Sequence, residues 1–396
     1  MQALEAHGKA PRHRRAWLLG LSAIVLVVVA AAVAYGLGRA SSGSHNGGGG
    51  GGGATGATGT TLPRAAAVLS IRATSPASGT QAAASNGDIS ITFSSPVSLG
   101  SVTPTLAPAV AGTWVQPSPT IIRYDLAAPL IPSSSEVVSV PGGSTGIKGK
   151  DGGTLPAGTS FTFTVADGDT LRLQELLAEL DYLPLSFTAF GGASGPSSMA
   201  MPQFGSFAWR WPNLPATLTS LWTQGEQNVI TKAAVMTFEN QNGLTVDGLA
   251  GPVVWTTLLA DVAANKVDTA PYVYVLVSKV LPENLTLYDD GAAQYTNIPV
   301  NTGAPGADTT DGTYPVFEHV TASVMKGTNP DGTTYDDPAV PWASFFNGGD
   351  ALHGFVRAQY GFPQSNGCVE MTVANAGMLW PLTPIGTLVT VVGPAS

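Results

Sequence analysis

The 396-residue chain has a single cysteine, Cys368, and only five histidines. No intrachain disulfide can form, and the usual zinc patterns, which need several Cys and His at short spacing, are missing, so metal chemistry is disfavoured. Charge is also scarce. Asp, Glu, Lys and Arg make up 11% of residues against roughly 25% in an average soluble protein, which excludes a charge-driven disordered chain and a coiled coil. Five of the 17 basic residues, Lys9, Arg12, Arg14, Arg15 and Arg39, lie in the first forty positions with one acidic residue, Glu5, leaving 12 basic and 25 acidic groups for the rest. An acidic body with scattered cations suits a phosphate backbone poorly, so nucleic acid is excluded as a partner. Glycine (48), proline (30) and hydrophobic residues (44%) are abundant instead. At roughly 100–200 residues per domain, the length corresponds to two or three folded units.

Residues 17–35, WLLGLSAIVLVVVAAAVAY, are an uncharged apolar run preceded by His13-Arg14-Arg15. About 20 such residues cross a bilayer as a helix. The basic flank predicts a cytoplasmic tail over 1–15, a single N-terminal transmembrane anchor over 16–37, and a body outside the cytoplasm, in the cell wall or periplasm. The alternative is a cleaved signal peptide, whose apolar core is shorter, about 7–15 residues. Residues 38–66 form a Gly/Ser/Thr-rich linker with seven consecutive glycines, Gly47 to Gly53, a composition that buries nothing and acts as a tether.

Short alternating runs follow over 67–166, among them Ile89-Ser-Ile-Thr-Phe93 and Phe161-Thr-Phe-Thr-Val165, separated by Pro, Gly and Ser clusters. Period-two alternation with frequent turn signals predicts an all-β sandwich. In its SPASGT and ITFSSPV stretches the segment resembles the bacterial Ig-like domains that precede many cell-wall enzymes, and it has no titratable cluster, which suits a spacer. From Asp169 the period changes. Leu173, Leu176, Leu177 and Leu180 share one helical face behind a cap at Asp169 or Thr170, a second helix is expected near 229–240, and Gly251-Pro252 opens a third with Trp255, Leu258, Leu259 and Val262 on one face. LQELLAELDY and AAVMTFENQNGLTVDGLAGPVVWTTLL resemble the small three-helix peptidoglycan-binding domain of cell-wall hydrolases and transpeptidases, over 169–265. An insertion at 183–224 carries Trp209, Trp211 and Trp222, either a sugar-stacking surface or a cover for an exposed core edge.

Residues 271–396 return to strands, such as Tyr272-Val-Tyr-Val-Leu-Val277, and read as a compact, mostly β domain. Here eleven residues separate His353 from Ser365-Asn366-Gly367-Cys368. A thiol used as a nucleophile needs a base within hydrogen-bond reach, and His353 is the only nearby candidate; Gly367 permits close approach, and the Gly367 and Cys368 amides could face the oxygen of a tetrahedral intermediate. A Cys and a His fifteen positions apart fit a buried apolar cysteine equally well.

ALHGFVRAQYGFPQSNGCVEM resembles the signature of the L,D-transpeptidase (YkuD) family, and VLVSKVLPENLTLYDDG with TGAPGADTTDGTYPVFEH resembles the family's opening strands and Gly-rich turn. That resemblance implies a β-rich catalytic fold with Cys368 as nucleophile, His353 as base, and Gly367 and Asn366 beside them. It places Ser365, Gly354, Arg357, Tyr360 and Trp342 on the substrate side. It further implies a cell-wall enzyme that makes 3→3 peptidoglycan cross-links through a cysteine acyl-enzyme with release of D-alanine. Its partners would be stem peptides and glycan, carbapenem-type β-lactams would inhibit it, and neither metal nor cofactor would be needed. Two positions depart from the pattern: Asn366 replaces a usual His, and Glu370 replaces a usual Arg or Asn. Glu370 either disturbs substrate binding unless Arg357 compensates, or is a solvent-facing charge at the start of the next helix. The departures keep two alternatives open, a non-catalytic wall-binding scaffold and a related enzyme that hydrolyses or redirects the acyl group. His319 reads as a surface residue. A lid over 321–350, rich in Gly, Asp and Pro, is expected to cover a cleft lined by Tyr314, Trp342, Phe345, Phe346 and Tyr360, although these aromatics could equally be core.

Overall fold

The computed structural model describes residues 68–190 and 200–394. The expected anchor at 16–37 and linker at 38–66 lie outside the described residues, among which no helix is long and apolar enough to cross a membrane. The first ten strands are β1 (Ile71–Ser75), β2 (Thr80–Ala83), β3 (Ile89–Phe93), β4 (Val97–Ser98), β5 (Thr105–Ala107), β6 (Gly112–Ser118), β7 (Ile121–Leu126), β8 (Ser135–Val140), β9 (Lys148–Gly149) and β10 (Thr159–Val165). They build two four-stranded sheets, ordered β1-β3-β7-β6 and β2-β10-β8-β5. Alternation decides which side chains are inside. Ile89, Ile91 and Phe93 of β3 and Ile122 of β7 meet Val138, Val140, Phe161 and Phe163 of the opposite sheet in one core.

Next come α1 (Thr170–Glu179), β11 (Leu185–Ala189), β12 (Gly205–Trp209), α2 (Ala216–Thr219), α3 (Val229–Gln241) and α4 (Pro252–Ala263). Asp169 caps α1 by accepting from the Leu171 and Arg172 amides, Asn228 caps α3 through Thr231 N–H, and Pro252 begins α4 where its missing N–H costs nothing. The three longer helices pack through Leu173, Leu176, Leu177, Ile230, Phe238, Trp255 and Leu258, but they do not close a core among themselves. Leu185 of β11 and two residues of the C-terminal sheet, Tyr274 and Leu388, complete the same cluster. Tyr274 is fully buried, and its hydroxyl donates to Thr217 Oγ1 at 2.9 Å. The three helices expected over 169–265 form, and they make a helical layer continuous with the following sheet. Ten- to thirteen-residue helices have too little mutual contact to bury this many large side chains alone. β11 and β12 pair as an antiparallel hairpin. Trp209 and Trp222 pack onto the core edge, while Trp211 stacks on Tyr272 at 6.1 Å with the Arg210 guanidinium over its ring.

The C-terminal domain comprises β13 (Val273–Ser278), β14 (Asn284–Asp289), β15 (Ala292–Pro299), β16 (Gly312–Pro315), β17 (Glu318–Thr328), β18 (Thr334–Asn347), β19 (Asp350–Gly354), β20 (Val369–Met371), α5 (Val373–Leu379) and β21 (Leu388–Val392). Asp290 and Gly291, both at positive φ, make the tight two-residue connection between β14 and β15. One sheet is ordered β15-β14-β13-β21-β16, the other β17-β18-β19-β20. Val275, Val277, Leu285, Leu287, Val389 and Val391 of the first pack against Phe346, Leu352, Val369 and Met371 of the second.

Candidate active site

The site forms where β19 and β20 run in parallel, with Leu352 opposite Val369 and His353 opposite Glu370. Val369 and Met371 are buried and pin β20 in the core, which holds Cys368, one residue earlier, at a cleft of about 270 Å³. The turn before it is tied from both sides. Ser365 Oγ donates to the Cys368 carbonyl and accepts from Gly367 N–H at 3.2 Å, while Thr309 Oγ1 donates to the Gly367 carbonyl at 2.7 Å. Ser365 is 1% exposed, so it shapes the nucleophile turn rather than contacting substrate. The same bonds alter the expected oxyanion site. The Gly367 amide is held by Ser365, and among the described hydrogen bonds only the Cys368 amide remains uncommitted.

His353 is 2% exposed and lines the same cleft as Cys368. Its Nδ1 lies 3.2 Å from the Gly354 carbonyl. A carbonyl only accepts, so Nδ1 carries the proton and Nε2 is the free base. Gly354 thus acts through its backbone, and a side chain there would collide with Val373 and Ala376 of α5. Burial lowers the His353 pKa, opposed by the Gly354 carbonyl and Glu370. Burial pushes the Cys368 thiol up to about 12; the Ala351 amide opposes this, and the carboxylates of Asp350 and Glu370 add to it. The resting pair is therefore neutral thiol and neutral imidazole. Among the described residues no hydrogen bond joins them, the thiol instead pointing at the Gly349 carbonyl at 3.5 Å.

Glu370 is neither solvent-facing nor the start of a helix. It lies in β20, 5% exposed, and both its oxygens are gripped by Arg357 at 2.8 and 2.7 Å. The following helix is capped by Thr372, whose side chain accepts from Asn375 N–H at 3.1 Å. Parallel pairing with β19 draws Glu370 inward, and bidentate pairing offsets the cost of its burial. Arg357 also lies over Phe355. Asn366 is exposed, and its Nδ2 donates to Asn329 Oδ1 at 2.6 Å, tying the turn to the segment expected to be a lid. That segment is the antiparallel hairpin β17–β18, its register shifted between Ser323 and Met325, and it supplies Met325, Asn329, Tyr335, Asp337 and Val340 to the cleft wall. Its Gly, Asp and Pro content conceals a period-two pattern, so these five residues were not legible as site residues.

The five aromatics expected in the cleft are absent from that wall. Phe346 is core, Tyr314 packs on Phe346, Phe345 on Phe317, and Trp342 on Trp380. The Tyr360 hydroxyl braces the Phe355–Arg357 loop by donating to the Phe355 carbonyl and accepting from Arg357 N–H. Trp342, at positive φ, is turned toward Gly377 of α5 and away from Cys368. His319 is likewise not a plain surface residue. It stacks on Trp380 at 4.0 Å with Nε2 2.9 Å from the Trp380 carbonyl, and burial lowers its pKa.

The mostly β domain thus brings a cysteine and a carbonyl-oriented histidine to one cleft. Residues 272–391 match the family of the L,D-transpeptidase catalytic domain (YkuD), and residues 65–165 match the bacterial Ig-like domain family. Similar solved structures include an L,D-transpeptidase from Mycobacterium smegmatis, 12% identical over 82% of this chain and 100% of that one with a TM-score of 0.28. Another is L,D-transpeptidase 3 from Mycobacterium tuberculosis with a faropenem-derived adduct, 12% identical over 81% and 97% with a TM-score of 0.28. A third is the catalytic domain of the E. faecium L,D-transpeptidase acylated by ertapenem, 24% identical over 32% and 100% with a TM-score of 0.28. No curated protein matches the chain.

Proposed function

We propose that the protein is a cell-wall L,D-transpeptidase that forms 3→3 peptidoglycan cross-links through an acyl-enzyme on Cys368. The observation that carries this reading is the placement of Cys368 and His353 on one cleft, with His353 Nδ1 held by the Gly354 carbonyl, inside a YkuD catalytic domain. Because burial keeps the thiol and imidazole neutral, the proton moves as the bond forms. Sγ attacks the carbonyl of the third stem residue while Nε2 takes the thiol proton. The Cys368 amide faces the developing oxyanion. Nε2 then protonates the leaving D-alanine amine, the C–N bond breaks, and a thioester remains. The side-chain amine of a diaminopimelate on a neighbouring stem attacks it, forming the new amide and returning the thiol. In this reading residues 16–37 anchor the protein with its body outside the cytoplasm, and the helical layer over 169–265 holds glycan or stem peptide.

A carbapenem offers a strained carbonyl to the same thiol and serves as the probe. Intact-mass spectrometry should show one adduct per chain, located on Cys368 and lost in Cys368→Ala. Tetrapeptide donor and acceptor stems should yield cross-linked dimer plus D-alanine. An unmodified wild-type protein under conditions where a control transpeptidase reacts fully would favour the scaffold reading.

A further inference from the structure

The hairpin β17–β18 carries a carboxylate into the nucleophile's cleft. Met325 of β17 stands directly opposite Asp337 of β18, and Tyr335 is two residues from Asp337, so strand alternation puts all three on one face. The register shift adds one residue to β18 between its pairs at Asp337 and Val340, which returns Val340 to that face. All four side chains line the cleft that holds Cys368 and His353. Asp337 is half-buried and makes no hydrogen bond or ion pair among the described residues. Arg357, the one Lys or Arg lining the cleft among the described residues, has Nε and Nη2 on the two Glu370 oxygens. The turn at Gly349 holds Asp350 outside the cleft, its Oδ1 against the α-carbon of Gly367. Asp337 is thus the uncompensated charge of the cleft wall, with the apolar Met325 and Val340 beside it.

A cleft of this charge attracts a cation to the nucleophile and repels an anion. An alkylamine carries its proton below a pKa of about 10, so a stem peptide with a side-chain amine enters as an ammonium. We propose that Asp337 is the specificity-determining residue of the Cys368 cleft: it pairs with the side-chain ammonium of a stem peptide, whose methylene chain packs on Met325 and Val340, and it repels ligands that bring a carboxylate to the same place. This rests on the transpeptidase reading and names the charge that its cleft selects. The role is binding, and no proton transfer is assigned to it. Two stems offer the same group, the donor that acylates Cys368 and the acceptor that attacks the thioester, and kinetics with each stem varied separately tells them apart. The other polar side chains of the hairpin in this cleft, Asn329 and Tyr335, are uncharged, and Asn329 is already held by Asn366, so neither replaces Asp337 as a counter-ion.

The test compares the full-length protein with Asp337→Asn and Asp337→Lys in two measurements. In the first, Cys368, the chain's single thiol, is modified by methanethiosulfonates bearing a trimethylammonium or a sulfonate group, each rate divided by that of the uncharged methyl reagent. The ratio of cation to anion should fall about tenfold in Asp337→Asn and further in Asp337→Lys. A change in thiol ionisation or in folding moves all three rates together and cancels in that ratio, so a merely structural role would leave it unmoved. In the second, a tetrapeptide donor and an acceptor stem are each varied at saturating partner. The KM of the stem that Asp337 binds should rise about tenfold in Asp337→Asn, the donor's or the acceptor's according to which ammonium it holds. A ratio that stays constant across the charge series, or stem KM values that do not rise, would overturn the inference. A wild-type protein that prefers the cationic reagent but makes no cross-link from the stems would instead overturn the transpeptidase reading and leave the cation site in place.

Discussion

The Arg357–Glu370 pair shows how a substitution that looks damaging in sequence is accommodated in three dimensions. Glu370 is sequestered on β20, and Arg357 neutralises it with two near-parallel hydrogen bonds. Removing one partner strands the other. Arg357→Ala should destabilise the protein by about 3 kcal/mol, the lower end for breaking a buried pair because Arg357 is itself 30% exposed. It should also slow alkylation of Cys368 below its pKa, since an uncompensated Glu370 disfavours the thiolate. Denaturant titration and iodoacetamide rate against pH check both parts, and superimposed alkylation profiles would show that the pair does not tune the thiol.

Among the elements, α3 carries a buried carboxyl that makes the helical layer sensitive to pH. Glu239 Oε2 accepts from the Asp247 and Gly248 amides, stapling α3 to the loop before α4, while Oε1 has no hydrogen-bond partner among the described residues. Burial raises its pKa from 4.5 to about 7. The folded state therefore binds this proton more tightly than the unfolded chain. The stabilisation is complete below about pH 4.5 and is lost as pH rises through 7, an effect of the order of 3 kcal/mol. Stability measured at pH 5 and pH 8 should differ in that direction in wild type, and Glu239→Gln should flatten the difference. A wild-type stability that rises across this interval in step with the variant would show that Glu239 is not the responsible group.

For the whole molecule, the shared cluster of α1, α3, α4, Tyr274 and Leu388 makes the helical layer and the C-terminal sheets one cooperative body, whereas the Ig-like sandwich has a core of its own. Calorimetry should therefore resolve one transition for 169–394 and a separate one for the sandwich. Tyr274→Ala removes a fully buried ring and its bond to Thr217, and should cost about 3–5 kcal/mol, lowering the transition of the helices and of the catalytic sheets together. Residues 169–265 expressed alone should lack cooperative unfolding. A sharp transition in that fragment would show that the helices close their own core.

Local pattern was sufficient for some of this molecule. The alternation of Ile89, Ile91 and Phe93, the leucine face of α1 with Asp169 as its cap, and the Gly251-Pro252 opening of α4 each depend on neighbours in the chain, so periodicity and capping chemistry determine them. The unique cysteine and the resemblance around it marked Cys368 and His353 as candidates, and the structure brings the two to one cleft. Long-range pairing decided the rest. Parallel registry of β19 with β20 drew Glu370 inside to meet Arg357, and packing against α5 turned Trp342 out of the cleft. The β17–β18 hairpin brought Asn329 and Asp337 to the cleft wall, and the turn at Gly349 set Asp350 against Gly367. None of these contacts joins residues on one face of one element, and a one-dimensional pattern records only such faces. Their selection depends on which strands pair and in what register, a choice made by burial of the whole core rather than by any segment within it.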